Sequence, residues 1–244
     1  MTPVFVTVSA ILVLGSFVQG LTGFGLALVS VPLLSLAIGV KTAVPLAGLF
    51  GWLVTFPIVW RMRQHIQWKT ALVLFAGSLP GSWIGAELLK RLPGDWILLA
   101  MGVVLVVSSI YAMMSRGPVI KSAAAWLTLV TGFFSGSLGA SVGEPGPPVI
   151  AYTSLLPWNA DQTKSTLVCF FMLQMAGAIF SFHQKGLLTD TVMTYFVRTI
   201  PAFLIGLVLG MSGYALLKRF RINYHRLVHG CLALIGAMLI AKAV

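Results

Sequence analysis

The sequence predicts an all-α polytopic membrane protein. It predicts two inverted repeats, each a glycine-rich broken helix or hairpin plus about three transmembrane helices, in about 8–10 apolar segments. Three observations carry this. Of 244 residues, 58% are hydrophobic and only 9% charged, with a mean hydropathy of +0.98, whereas soluble domains carry about 25% charged residues. A glycine-rich stretch occurs twice at a fixed spacing. The basic residues fall mainly on one side of a membrane only if the two halves are inverted.

The first copy is Gly20-Leu21-Thr22-Gly23-Phe24-Gly25, closed by Pro32, between apolar runs at residues 4–18 and 26–38. The second is Gly136-Ser137-Leu138-Gly139-Ala140-Ser141, followed by Pro148, and every matched position is 116 residues further on. Runs of about 15 residues are short for a ~30 Å hydrocarbon core at 1.5 Å per residue. Three glycines in six positions make a poor helix interior. They suit a tight reversal, or a backbone that a ligand approaches closely. The two stretches read as copies of one element.

The chain opens without a basic leader region or a small-residue cleavage site, so its first run is expected to be a membrane segment rather than a cleaved signal. Run 42–60 leads to a basic loop with Arg61, Arg63, His65 and Lys69. Run 70–89 holds Pro80 and Gly85, residues 90–95 break it, and run 96–114 follows. Arg116, Pro118 and Lys121 divide the halves, 1–118 and 119–244. The second half has runs 123–138, 147–156, 163–182, 191–217 and 227–244. Pro201 and Gly206 match Pro80 and Gly85 at a spacing of 121. Pro32, Pro80, Pro148 and Pro201 are expected structural kinks.

If each glycine-rich element crosses once, the halves are parallel and the loop bases split 7 against 8. If it returns to its starting side, the halves are inverted. Ten bases (Arg61, Arg63, Lys69, Arg116, Lys121, Lys164, Lys218, Arg219, Arg221, Arg226) then face five (Lys41, Lys90, Arg91, Lys185, Lys242). The positive-inside rule favours the second arrangement, with both termini outside and the tips entering from opposite faces towards the midplane. The net charge of +11 is thus a topology signal and not a nucleic-acid stripe. Cys169 and Cys231 lie in apolar runs with no zinc spacing and no disulfide framework. His225 and His229 stand at metal spacing without a third ligand and read as surface histidines. No nucleophile–base pair, phosphate loop or dinucleotide fingerprint is present, so neither an enzyme nor a cofactor is expected.

Polar groups inside apolar runs are the functional candidates. Asp95, Asp161 and Asp190 sit at run ends as helix caps or first-turn acids, and Glu87 is spaced to pair with Lys90 or Arg91. Glu144, at the second tip, is either a proton-coupling or substrate-facing carboxyl or a buried structural acid. Arg198 lies eight residues into its run and has Gly77 as its counterpart. It reads as an anion ligand, a partner of Glu144, or a side chain snorkelling to the surface. Gln19, Thr22, Ser30, Ser135, Ser137, Ser141 and Gln174 flank the tips; each is a neutral donor for an oxyanion or a helix-packing residue. The substrate-binding candidates are Gln19, Gly20, Thr22, Gly23, Gly25, Gly136, Gly139, Ser141, Gly143, Gln174 and Arg198.

At these residues the chain resembles the sulfite exporter TauE/SafE family, also called the toluene-sulfonate uptake permease family. The likeness lies in the twice-repeated glycine-rich signature ending in proline, and in length, duplication and segment order along the whole chain. The second copy departs from it with Val142-Gly143-Glu144-Pro145-Gly146. The resemblance implies movement of sulfur-containing or carboxylate-type organic anions across the bacterial inner membrane. The expected function is therefore a secondary transporter, an exporter of sulfite or organosulfonates working by alternating access around the tips. Its partners would be the anion, the lipid bilayer and a coupled proton; a homodimer is left open, and no nucleic acid is expected. The alternatives are an anion channel, a membrane-embedded enzyme and an accessory subunit.

Overall fold

The computed structural model describes residues 3–22, 25–114, 122–220 and 235–241. Among the described residues there is no strand. The helices are α1 (Pro3–Thr22), α2 (Leu26–Ile38), α3 (Val40–Met62), α4 (Trp68–Arg91) and α5 (Gly94–Met114), then α6 (Ala125–Val142), α7 (Gly146–Ser154), α8 (Ala160–Gln184) and α9 (Asp190–Phe220). Residues 235–241 are helical too, while most of run 227–244, with Cys231 and both His225 and His229, lies outside the described residues. Among the described residues, six helices (α1, α3, α4, α6, α8 and α9) are long and apolar enough to cross a membrane. The protein is thus an all-α, multi-pass membrane protein.

Local signals set the helix ends. Asn159 and Gln162 cap the start of α8 reciprocally, side chain to backbone N–H in both directions. Asp95, Asp161 and Asp190 fall in first turns, as expected, where the helix dipole favours an acid. Exposed Trp60, Trp68, Trp96 and Trp126 stand near helix ends, like an aromatic belt. Pro32, Pro80 and Pro201 lie inside helices. Pro148 instead sits in the first turn of α7, where a missing N–H costs nothing; it begins a helix and does not bend one.

The chain divides into two compact units. The first is Met1–Phe50, Pro93–Met113 and Leu188–Val244; the second is Gly51–Leu92 and Met114–Leu187. Neither coincides with the expected repeat 1–118 or 119–244, because each unit draws helices from both.

In the second unit, Gly77, Gly81 and Gly85 of α4 meet the backbone of Leu129, Phe133 and Ser137 of α6 in turn, so the two helices run parallel. Gly132 and Gly136 close the same seam from the α6 side, against Leu74 and Ser78. A methyl group at any of the five would collide with backbone, as in small-residue membrane helix interfaces. In the first unit, Gly206 and Gly210 of α9 meet Val13 and Phe17 of α1, again in parallel. Val13 and Phe17 are the 116-residue counterparts of Leu129 and Phe133. By packing, then, Gly206 takes the part of Gly77, about two helical turns from Gly85, the counterpart that the proline spacing suggests.

Three of the motif glycines lie away from the reversal. Gly20 lies within α1, and Gly136 and Gly139 lie within α6. Close packing outweighs their low helix propensity. Their continuation makes α1 20 residues long and α6 18, enough to cross.

Candidate functional site

Both glycine-rich elements are antiparallel helical hairpins, each with a long outgoing arm and a short return. In the first unit, Gly15 packs against Ser30, and Gln19 Oε1 accepts the Leu26 N–H at 2.9 Å. In the second, the Thr128 and Tyr152 hydroxyls meet at 2.6 Å, and Ser135 donates to the Pro145 carbonyl. Gln19 and Ser135 each immediately precede the first motif glycine, and each reaches across to the returning arm.

The first tip turns near Gly25, which at φ 106° takes the left-handed backbone that glycine permits. α2 starts there, and its first N–H is held by Gln19, which is buried. Gly20 is committed to α9: a Cβ on it would stand 2.6 Å from the Leu207 carbonyl oxygen. Gly23 lies outside the described residues, as does the side chain of Thr22. Ser30 and Ser35 of α2 bury their hydroxyl oxygens without a partner.

The second tip has different chemistry. Gly143, at φ 80°, ends α6, and both its N–H and that of Glu144 go to the Leu138 carbonyl. Pro145, Pro147 and Pro148 bring no N–H to the start of α7. Backbone donors are therefore scarce where a helix start would otherwise receive an anion. Ser141 returns its hydroxyl to Ser137 within α6.

Around this tip the fold gathers side chains from three helices. A Cβ on Gly139 would stand 2.6 Å from Gln174 Nε2 and 2.9 Å from the Pro145 ring. The Gln174 amide of α8 and Pro145, the residue that follows Glu144, thus both lie beside Gly139. Gln174 is fully buried and its Nε2 donates to Ser82 Oγ of α4 at 3.4 Å. Glu144 is 2% exposed. Its Oε1 and the Oε1 of Gln174 are buried without a hydrogen-bond partner. A bare carboxylate so placed is costly. Gly136, by contrast, packs on Ser78 and serves the helix seam.

Arg198 is not at the first tip. It is exposed on α9, at a surface depression with Asp190, Met193, Thr194 and Val197. With Val13 beside Gly206 in parallel helices, eight residues back puts Arg198 level with the first turns of α1. Gly210, beside the tip's Gly20, is twelve residues further along α9, ~18 Å away at 1.5 Å per residue. By packing its counterpart is Lys69, at the start of α4, and not Gly77. Glu87 pairs with Arg91, as its spacing predicts, and also with Lys185, whose ammonium lies 4.1 Å from the Trp83 ring.

Sequence reasoning passed over Ser82 and the seam glycines Gly77, Gly81 and Gly132. The i, i+4 run Gly77–Gly81–Gly85 could have revealed the seam. Nothing local marks Ser82, which matters only through Gln174, 92 residues away.

Comparison with known proteins places these hairpins in a family. No solved structure matches the chain. A protein of Cupriavidus necator, described as "Probable sulfite/organosulfonate exporter TauE", is 25% identical over 247 residues, covering 96% of this chain and 93% of that protein. The family model described as "Sulfite exporter TauE/SafE" matches residues 8–240. The chain therefore belongs to the sulfite exporter TauE/SafE family, and it is a membrane transporter, not an enzyme.

Proposed function

We propose that this chain is a secondary transporter that exports small sulfur-bearing anions, sulfite or organosulfonates, across the bacterial inner membrane by alternating access. The observation that carries the reading is the similarity, over 96% of the chain, to a protein described as a sulfite/organosulfonate exporter. The hairpins support it. Each is a membrane-embedded reversal with a buried polar side chain on its inner side, the kind of broken helix that holds substrate in transporters built from repeats. The first tip is the better anion holder: α2 starts on residues that carry N–H groups, with the hydroxyls of Ser30 and Ser35 on the same helix. At the second tip, Glu144 carries the coupled proton.

Two reversing hairpins also favour inverted halves. Each half then keeps an odd number of crossings, and the loops at residues 61–69 and 218–226 share the cytoplasmic face with most of the basic residues. Cysteine labelling of those two loops from opposite sides of the membrane would reject the inversion.

The direct test is the purified full chain in proteoliposomes, offered sulfite, sulfoacetate, taurine, sulfate and short carboxylates. Saturable, trans-stimulated flux of the sulfur anions is expected. Flux that rises without saturation makes the protein a channel. Inertness of a folded, reconstituted protein to every anion ends the reading.

A further inference from the structure

A donor census around Glu144 leaves two acceptors unserved. Glu144 Oε1 and Gln174 Oε1 are both buried without a partner. The N–H groups of Gly143 and Glu144 are committed to Leu138. Three of the next four residues, Pro145, Pro147 and Pro148, have no N–H. The Ser135 hydroxyl is committed to the Pro145 carbonyl, and the Gln174 amide nitrogen faces Ser82. None of these groups donates to either oxygen. One proton on the carboxyl converts an acceptor into a donor and gives the amide oxygen its missing partner.

We propose that Gln174 is a positioning residue for a proton carried by Glu144: the protonated carboxyl donates to Gln174 Oε1, and Ser82 holds the amide in the orientation that receives it. This rests on the transporter reading above and gives Gln174 a role other than anion ligand. The proton comes from water on the side where the pocket opens to load it. It leaves to water on the other side when the tip moves off α8 and the neutral acid loses its acceptor.

Competing titratable groups on the elements packed around the tip have other engagements. α6 carries none. On α7, Tyr152 is bonded to Thr128. At the end of α4, Glu87 and Arg91 pair with each other, Glu87 also binds Lys185, and Lys90 neighbours them in sequence; Lys69 lies at the opposite end of the helix. On α8, Cys169 sits in an apolar cluster with Val59, Ile66, Ala71 and Val168. Asp161 and Lys164 stand at one end of that helix and exposed His183 at the other.

The test uses the full-length protein in proteoliposomes with sulfoacetate, whose charge is fixed from about pH 5.5 to about pH 8.5. Initial rates against pH are compared for wild type, Glu144→Gln, Gln174→Met and Ser82→Ala. Wild type should show one titration midpoint, and Glu144→Gln should flatten the profile. Gln174→Met should move the midpoint to lower pH by about half to one unit, because the neutral acid loses a hydrogen bond that favours it. Ser82→Ala should move it the same way by less. Infrared difference spectra of the purified proteins read the same proton without transport: the protonated-carboxyl band missing in Glu144→Gln should shift in Gln174→Met. Unmoved midpoints and bands in both Gln174→Met and Ser82→Ala overturn the proposal. So does a KM for sulfoacetate that Gln174→Met weakens equally at every pH, which would make the amide a substrate ligand. A sodium requirement with a flat wild-type pH profile also overturns it, since those oxygens would then be holding the metal ion. Failure of wild type to move any sulfur anion, with the infrared shift present, removes the transporter reading and leaves the proton pair standing.

Discussion

The hairpin α1–α2 of the first unit and the hairpin α6–α7 of the second follow one plan and end in different chemistry. In both, the outgoing arm lies parallel to a glycine-faced helix from the other half of the sequence, α9 or α4. In both, the residue before the first motif glycine ties the return arm back. The tips then diverge. The first is neutral, and the helix that leaves it begins on N–H-bearing residues. The second carries a buried acid and a proline-rich start that strips the backbone of donors. The packing is thus alike in the two hairpins while the turn chemistry differs. On this reading an anion and a proton need not compete for one set of groups.

The largest expected effect tests the shared plan. Gly81→Leu in the second unit and Gly210→Leu in the first should each cost more than about 3 kcal/mol, since backbone, not a yielding side chain, meets the new atoms. Thermal unfolding of the purified variants checks it, with little folded protein expected from either. If one is tolerated, the two seams are not equivalent. Next in size is Gly139→Leu, which strikes the Gln174 amide and the Pro145 ring while lying off the seam. It should remain in the membrane and lose transport by ten-fold or more, about 1.4 kcal/mol or upward in transport free energy. Normal flux in this variant would remove the second tip from the mechanism.

How much of this was legible differs by feature. The helices were readable from apolar runs, and residues 26–38 come out with both ends as expected. The hairpins were readable from the breaker residues; the first reversal falls at the last motif glycine, Gly25, while the second falls past its motif, at Gly143–Pro145. Glycine has two uses, left-handed turns and close helix contact, and composition alone does not separate them. The partner helices were not legible, because which helix lies in a glycine groove is a long-range fact. Arg198 stayed open to three readings for the same reason. Counting residues from the start of α9 measures depth only if that helix starts level with its neighbours, and it starts several residues before α1. Glu144 was found because an acid is conspicuous in apolar sequence; its donor-poor surroundings follow partly from three prolines and partly from a cap that only the fold reveals.

A smaller effect sharpens the comparison at the two cross-hairpin ties. Gln19→Leu leaves the Leu26 N–H, a lone donor, without its acceptor. It should cost about 1–2 kcal/mol. Ser135→Ala removes a donor from a carbonyl with further accepting capacity, and should cost under about 1 kcal/mol. Equal losses in a thermal or denaturant series would mean that the ties do not differ in kind.

The smallest effect is expected at Arg198. An arginine within an apolar helix invites the role of anion clamp, because its fork matches a sulfonate or a carboxylate. Its position argues otherwise for the first tip. The guanidinium is on the exposed face of α9, level with the first turns of α1, and ~18 Å short of the glycine seam beside Gly20. From there a long side chain reaches the membrane surface, and Asp190 and Thr194 share its depression. An interfacial arginine contributes to orientation and solvation more than to a buried site. Arg198→Gln should therefore change the affinity of the purified protein for sulfoacetate by less than about three-fold, under 0.7 kcal/mol or so. Arg198→Lys should be closer still to wild type, since a surface charge has no use for a planar fork. Isothermal titration of the two variants beside wild type measures both. A ten-fold loss in Arg198→Gln that Arg198→Lys fails to restore would make this side chain a bidentate ligand after all, and would move the anion away from the neutral donors of the first tip.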